Sequence, residues 1–538
     1  IFLRYSKNNS ISKNNISLNN DYGIFLRYSK NNSISKNNIS LNNDYGIRLS
    51  DSNNNSISEN IIRSNKWDGI FLSDSNNNSI SENNISNNDY GIYLWFSNEN
   101  TIKNNEFIND SLFVDDSYGN IVEYNKVNGK PLVYLEDESD KFIDNAGQVI
   151  LVKCKNITVM NAEIKNTDVG IELLQSDNCL ISKNNISNND YGIFLRYSKN
   201  NSISKNNISL NNDYGIRLSD SNNNSISENN ISNNSYGILS NSNNNSISNN
   251  IISNNDYGIY LSHLNNNSIS NNNISLNDLG IELYHSNNNS ISNNNIISNN
   301  WDGVSLSYSK NNSISKNNIS SNKDDGIWLY HSNNNSISKN NISSNNFHGM
   351  ILYKSNNNII YMNNFINNGD NAFSYNSTNI WNSIEPIKYT YRGSKFKNYM
   401  GNYWDDYNGS DANGDGIGET PYSIDSDKDN YPLIERFENY FMPTPAKIFD
   451  TGRPENPYPS ISGKFIGKIK TNTTIIAKKL YTYACEGTGG HTEHALICNS
   501  TWCAEAEWEG YKEDWMNIYF NRTVVLMPHE TYNITIVT

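Results

Sequence analysis

A repeat of about 22 residues, punctuated by glycine, restricts this chain more than any other feature. Glycines stand at Gly23, Gly46, Gly69 and Gly91, and the series resumes at Gly170 and runs through Gly192, Gly215, Gly237, Gly258, Gly280, Gly303 and Gly326 to Gly349. The steps are 21 to 23 residues, and residues 21–60 recur letter for letter as residues 190–229. A fixed period of this length points to a stacked-repeat architecture before any residue is weighed singly.

Within one unit, "GIFLRYS" alternates with Ile24 and Leu26 on one face, "NSIS" offers Ile34 and "NIS" offers Ile39. Each is a short run of period two, rich in β-branched residues and bounded by turn formers. Three short strands per unit predict one coil of a parallel β-helix. A leucine-rich repeat has a similar length, but its Leu-x-x-Leu-x-Leu frame is missing and no amphipathic run reaches helix length. One coil cannot bury its Ile set alone, so coils stack and identical residues lie above one another. Asn fits such columns because its amide both donates and accepts, and it tolerates left-handed backbone; the punctuating Gly is expected where φ is positive. At a strand spacing of ~4.8 Å, roughly 16 coils make a rod on the order of 75 Å.

Hydrophobic residues reach only 36%, a level that otherwise signals disorder, yet Ile keeps a fixed register and the chain holds 35 Tyr and 9 Trp. The net charge of −14 argues against nucleic acid and anionic membranes as partners. No apolar run approaches the ~20 residues that span a bilayer, so no transmembrane segment is expected. No signal peptide is visible, but the sequence opens in mid-repeat and stops on a strand, so both ends are expected to continue and nothing follows about export. Asn-x-Ser/Thr occurs about twice in most units, and again at Asn472, Asn499, Asn521 and Asn533; the latter four favour a secreted or cell-surface, glycosylated protein.

The expected organisation is a parallel β-helix over residues 1–368, with an insertion at about 129–146 through which the rod continues. An aromatic and acidic cap follows over 369–440, then a Pro-bearing linker at 441–447 and a small β-sandwich-like domain over 448–538.

The units "GIxLxxSxNNSISxNNI", the insertion "NKVNGKPLVYLEDESDKFIDNAGQVILVKCKNITV" and the closing "GNYWDDYNGSDANGDGIGETPYSID" together resemble the NosD-like right-handed β-helix proteins, many of them archaeal surface proteins, over residues 1–436. The segment "KLYTYACEGTGGHTEHALICNSTW" is similar to a domain appended to archaeal surface β-helix proteins. The resemblance implies an exported protein with a structural or carbohydrate-associated role. The copper role of the founding family member is not carried over, because Met and His are scarce and scattered here.

Several residue sets are candidates for chemistry. The outward face of the first strand presents Phe25, Arg27, Tyr93, Trp95, Tyr260, Tyr284, Trp328, Tyr330 and Tyr353, whose rings suit stacking on sugars. The competing reading is that these rings stack on one another and stabilise the sheet. An Asp stands two residues before most of the glycines, with Asp68 and Asp302 one residue nearer; carboxylate pairs are what glycosidases need, but Asp also simply favours turns. In "DANGDGIGE", Asp411, Asn413, Asp415, Gly416 and the Ile417 carbonyl match the first half of a Ca²⁺ loop; Tyr422 occupies the twelfth position, where such loops carry a bidentate carboxylate, and Glu419, Asp425 or Asp427 is the candidate to take its place. Cys485, Cys498 and Cys503 are disulfide candidates, two of the three pairing; with His491 and His494 they match no standard zinc spacing.

The reading that results is a non-catalytic, secreted or cell-surface scaffold or adhesin, associated with a cell-envelope or extracellular polysaccharide or with other surface proteins. The alternative is a polysaccharide-active enzyme. An enzyme should break the repeat with a local cluster of carboxylates or Arg in a groove.

Overall fold

The computed structural model describes residues 1–441, 463–471, 475–481, 493–499, 502–507, 517–527 and 530–537. They fall into two compact units, one of residues 1–388 and 397–439, the other of residues 389–396 and 440–538. No helix among them is long and apolar enough to cross a membrane.

The first unit is a parallel β-helix of about 17 turns. A typical turn contributes Ile24–Arg27, Ser33–Ser35 and Asn38–Ser40, and each strand pairs in parallel with its counterpart one turn on: Ile24 opposite Ile47, Ile34 opposite Ile57, Ile39 opposite Ile62. Ile24, Leu26, Ile34 and Ile39 point inward and are fully buried, each such side chain contributing about 1.5–3 kcal/mol.

The corners divide two tasks that the sequence assigned to Asn together. Left-handed backbone falls on the residue before each column member: Tyr28, Asn31, Lys36 and Leu41 have φ of 51°, 58°, 59° and 55°. The next residue in each case, Ser29, Asn32, Asn37 or Asn42, is buried and builds the column. Asn317 shows the pattern. Its N–H and Nδ2 both donate to Oδ1 of Asn340, at 2.9 and 3.0 Å, and Nδ2 also donates to the Ile291 carbonyl at 2.9 Å. Most buried column amides are satisfied in this way inside the stack, the exceptions including Nδ2 of Asn100, Asn120 and Asn245. Cys154 and Cys179 occupy a Ser and an Asn position in these columns, their N–H groups donating to Ser176 Oγ and Asn201 Oδ1. Both are buried free thiols, and burial raises them, Cys179 to about 11.

The punctuating glycines are needed for space, a correction to the expectation of positive φ. None of them is among the positive-φ glycines. A Cβ on Gly215 would lie 2.7 Å from the Gly237 carbonyl oxygen and 2.9 Å from Cγ2 of Ile231.

The stack does not run unbroken through residues 129–146 as expected. Two apolar cores exist, one built from Ile11 to Leu174 and one from Ile143 to Ile424. Strand Lys130–Glu136 opens a second sheet, pairing with Gln148–Val152 and then Val169–Leu174. That sheet is apolar on both faces. Val149, Leu151, Ile171 and Leu173 enter the second core, while Leu132, Ile150, Val152 and Leu174 close the end of the first. The last strand of the first stack, Leu112–Asp115, therefore has an edge that must be satisfied without a parallel neighbour. Side chains do it. Gln148 accepts from Leu112 N and donates to the Leu112 carbonyl, Asp168 Oδ2 accepts from Gly91 N at 2.8 Å and Ser111 N at 2.9 Å, and Glu172 accepts from Val114 N.

At the far end, Phe365, Trp404 and Tyr422 stack at successive centroid distances of 4.3 Å over the second core, with Trp381 beside them. Buried Asp429 accepts from Asn402 N and Trp404 Nε1, and Asp427 from Trp381 Nε1.

In the second unit, besides most of a hairpin of Ile387–Tyr391 and Ser394–Asn398, the described strands form an antiparallel sheet in the order Lys464–Lys470, Thr531–Val537, His494–Cys498, Cys503–Glu507, Asn517–Leu526 and Ile475–Tyr481. The expected small β domain is thus present as a single six-stranded sheet whose apolar face carries Ala495, Ile497, Phe520, Val524 and Tyr532. Residues 442–447 of the expected linker lie outside the described residues.

Candidate functional site

Parallel register converts sequence positions into rows along the outer face. One row runs Phe25, Arg48, Phe71, Tyr93 and Phe113 in the first stack, and Phe194, Arg217, Leu239, Tyr260, Glu282, Ser305, Trp328, Ile351 and Phe373 in the second. A second row brings together Tyr284, Ser307, Tyr330, Tyr353 and Tyr375. Of the candidates, Arg27, Trp95 and Trp328 are exposed, and Phe25, Tyr93, Tyr260, Tyr284, Tyr330 and Tyr353 are half-buried.

Over much of the face the rings are occupied with each other. Tyr22, Tyr45 and Phe71 stack, as do Tyr214, Tyr236 and Tyr257 at 5.3 and 4.8 Å, and Tyr330, Tyr353 and Tyr375 at 5.6 and 5.2 Å. Arg48 and Arg217 lie over these rings. Self-stacking of this kind stabilises the sheet. Along one corner His263, His285, Tyr308 and His331 stack likewise.

One strand breaks both rows. Val304–Ser307 reads "VSLS", so Ser305 and Ser307 stand where neighbouring turns carry large side chains. The result is a cleft of about 530 Å³ walled by Trp301, Trp328, Tyr257 and Tyr330. Glu282, Asp302 and Asp324 also line it, and no Lys or Arg does. Nearby Lys323 instead donates to Asn300 Oδ1 at 2.6 Å. Trp301 is 48% and Trp328 39% exposed, comparable to Trp67 and Trp95, but Trp301 and Trp328 share the walls of one cleft.

The acids are set by a swap of two letters. Six units read Asp-Tyr-Gly and leave the Asp toward water, as at Asp256; residues 301–303, like residues 67–69, read Trp-Asp-Gly, so the Trp takes the exposed place and Asp302 is buried at 3% exposure. Burial, with the charge of Asp325 nearby, pushes the Asp302 carboxyl up to about 8, and burial raises Glu282. Asp302 Oδ1 accepts from Asp325 N, and Asp325 accepts from His348 at 2.9 Å. The sequence placed Glu282, Trp328 and Tyr330 in the rows but missed Trp301, Ser305 and Ser307. The signals were the Trp-Asp order and the Val that replaces Ile after Gly303.

A second acidic cleft, of about 540 Å³, lies where the stacks meet, with Asp89, Asp168 and Asp190 in its lining. Burial raises all three carboxyls, but Asp168 already holds the amides of the broken edge, a structural role. Beside it Arg196 pairs with Asp115 and with Asp116 at 3.0 Å.

In the loop of residues 411–419, Asp411 accepts from Asp415 N and Gly416 N, Asn413 from Asp415 N, Asp415 from Ile417 N, and Glu419 from Ala412 N and Asn413 N. The hydrogen bond from Ala412 N draws the Glu419 carboxyl down. Gly414 and Gly416, at φ of 75° and 86°, make the sharp turn. The five expected ligand-bearing residues are thus gathered in one turn. In the second unit Cys498 and Cys503 form a disulfide; Cys485 and His491 lie outside the described residues. His494, Glu505 and Glu507 place ligand atoms within 4.8 Å of one another.

A family model described as "Periplasmic copper-binding protein (NosD)" matches residues 1–135 and 237–409, and one described as "Right handed beta helix region" matches residues 139–274. Similar solved structures include the A-module of a mannuronan C-5 epimerase of Azotobacter vinelandii, 14% identical, covering 60% of this chain and 88% of that one with a TM-score of 0.31. A periplasmic alginate epimerase is 14% identical, covering 66% and 76% with a TM-score of 0.28. A DFA-IIIase of Arthrobacter chlorophenolicus is 11% identical, covering 53% and 83% with a TM-score of 0.33. No curated protein matches the chain.

Proposed function

The chain belongs to the NosD family of right-handed β-helix proteins, and from that premise we propose that it is an exported rod that binds a polysaccharide along its outer face, chiefly at the cleft around Ser305 and Ser307. The observation that carries this reading is the pair of exposed indoles, Trp301 and Trp328, facing a gap in an otherwise self-stacked aromatic face. Indole and phenol rings take the C–H faces of sugars, and the carboxyls beside them bond hydroxyls. A glycan array with the full chain tests it: binding should fall about ten-fold in Trp328→Ala and hold in Phe25→Ala. Binding that ignores Trp328, or no binding at all, defeats the reading.

Copper, named in the family's description, does not fit the donors present. Within the matched residues Met350, Met362 and Met400 are buried. Tyr308 stands between His285 and His331 in their column, and His263 Nδ1 is engaged by Ser262 Oγ. These soft and imidazole donors do not converge. The loop of Asp411, Asn413, Asp415, Ile417 and Glu419 instead suits Ca²⁺, whose oxygen ligands it offers at alternate positions.

A second reading, an enzyme that cleaves or epimerises the bound polymer, is favoured by one observation. Asp302, buried and pushed up to about 8, can act as a proton donor in the same cleft as Glu282, whose carboxyl burial also raises. Products formed by the parent chain and lost in Asp302→Asn, with binding retained, would establish it; unchanged polymer leaves the binding role.

A further inference from the structure

We propose that the Ser305 cleft selects a glycan whose units offer hydroxyl or ammonium donors and carry no carboxylate or sulfate. This rests on the glycan-binding reading and names the class of ligand. Three acidic side chains, Glu282, Asp302 and Asp324, face a cleft of about 530 Å³ that no cationic side chain lines. The basic residues of the same face are committed elsewhere: Arg27, Arg48 and Arg217 over aromatic rings, Arg196 to Asp115 and Asp116. The cation nearest in sequence, Lys323, bonds Asn300.

An acidic sugar seated between Trp301 and Trp328 would bring its charge against Glu282 and Asp324, and a like-charge contact there disfavours binding. The raised carboxyls of Glu282 and Asp302 already record the cost of negative charge there. Hydroxyl or ammonium groups have the opposite effect. An ionised Glu282 accepts from them, and Asp302 both accepts and, when protonated, donates.

The test titrates the full chain calorimetrically with three probes of similar length: neutral N-acetylglucosamine oligomers, their de-N-acetylated cationic counterparts, and galacturonate oligomers. The neutral or the cationic set should bind at least about ten-fold more tightly than the galacturonates. Tighter binding of the neutral set assigns hydroxyl donors; tighter binding of the cationic set, weakened by salt, assigns ammonium donors. The double variant Glu282→Gln/Asp324→Asn, which removes the two charges that meet the sugar and is checked for folding by circular dichroism, should bring galacturonate affinity to within about three-fold of the better set. Galacturonate binding equal to the others in the parent chain, or unmoved by the double variant, overturns the charge selection while leaving glycan binding in place. If no oligomer binds, the glycan reading itself falls and this inference with it.

Discussion

At the residue scale, the order of two letters decides whether an aspartate meets water or the sheet. Asp256, in Asp-Tyr-Gly, is exposed, whereas Asp302, in Trp-Asp-Gly, is buried and its carboxyl is pushed up to about 8. A raised carboxyl keeps its proton in the fold after the unfolded chain has lost its own. Between about pH 4 and pH 8 the folded state therefore binds more protons, and stability falls as pH rises through that window. Asp302→Asn keeps an acceptor for Asp325 N and removes the ionisation. It should match the parent at pH 4 and exceed it at pH 9 by several kcal/mol, about 1.4 kcal/mol for each pH unit by which the carboxyl is raised, read from denaturant unfolding at both values. An equal pH slope in parent and variant would show that Asp302 ionises freely. The candidate residues were legible in the sequence to differing degrees. Trp328 and Tyr330 follow from period two, but the cleft depends on what is missing at Ser305 and Ser307, and a search of rows for large side chains passes over small ones.

At the element scale, the turn is held by its corner columns as much as by its Ile set. Asn317 Oδ1 accepts from both the backbone N–H and Nδ2 of Asn294. Asn317→Ala strands those two buried donors and should cost about 2 to 5 kcal/mol. Asn318→Ala, one residue on, breaks only a half-buried outer ladder to Asn295 and Asn341 and should cost no more than about 1 kcal/mol; equilibrium unfolding of the two variants distinguishes the buried column from the outer ladder. The strands and the columns were legible because stacking forces equal residues onto equal positions. Which Asn bonds and which residue bends was not, since Tyr28, Lys36 and Leu41 take left-handed backbone that their residue types do not announce. The need for glycine was legible and its reason was not: the clash with the Gly237 carbonyl at Gly215 exists only between turns. The loop at residues 411–419 makes a separate prediction. Millimolar Ca²⁺ should raise the melting temperature of the parent by several degrees and leave Asp411→Asn/Asp415→Asn unchanged, and Mg²⁺ should do neither; a parent indifferent to Ca²⁺ would leave Asp411 and Asp415 as turn formers.

At the scale of the first unit, copying turns lengthens a core but does not join two cores. Sheet strands 130–136, 148–152 and 169–174 separate the stacks, with alternate residues serving opposite sides: Ile150 closes the first core and Val149 enters the second. The sequence showed loosened periodicity here, and an insertion was the simplest reading. The double-sided apolar strand "QVILV" carried the other answer, since a strand buried on both faces needs a core on each. Stacked repeats gain stability mainly from nearest neighbours, so the two cores should fail separately. Ile150→Asp places a carboxylate against the first core only. Hydrogen exchange resolved along the chain should then show lost protection over residues 24–114 and retained protection over residues 259–365. Val149→Asp should instead loosen the turns next to it in the second stack and spare residues 24–114. If either substitution removes protection from both stretches together, the two cores fold as one cooperative body, and the intervening sheet joins the stacks rather than dividing them.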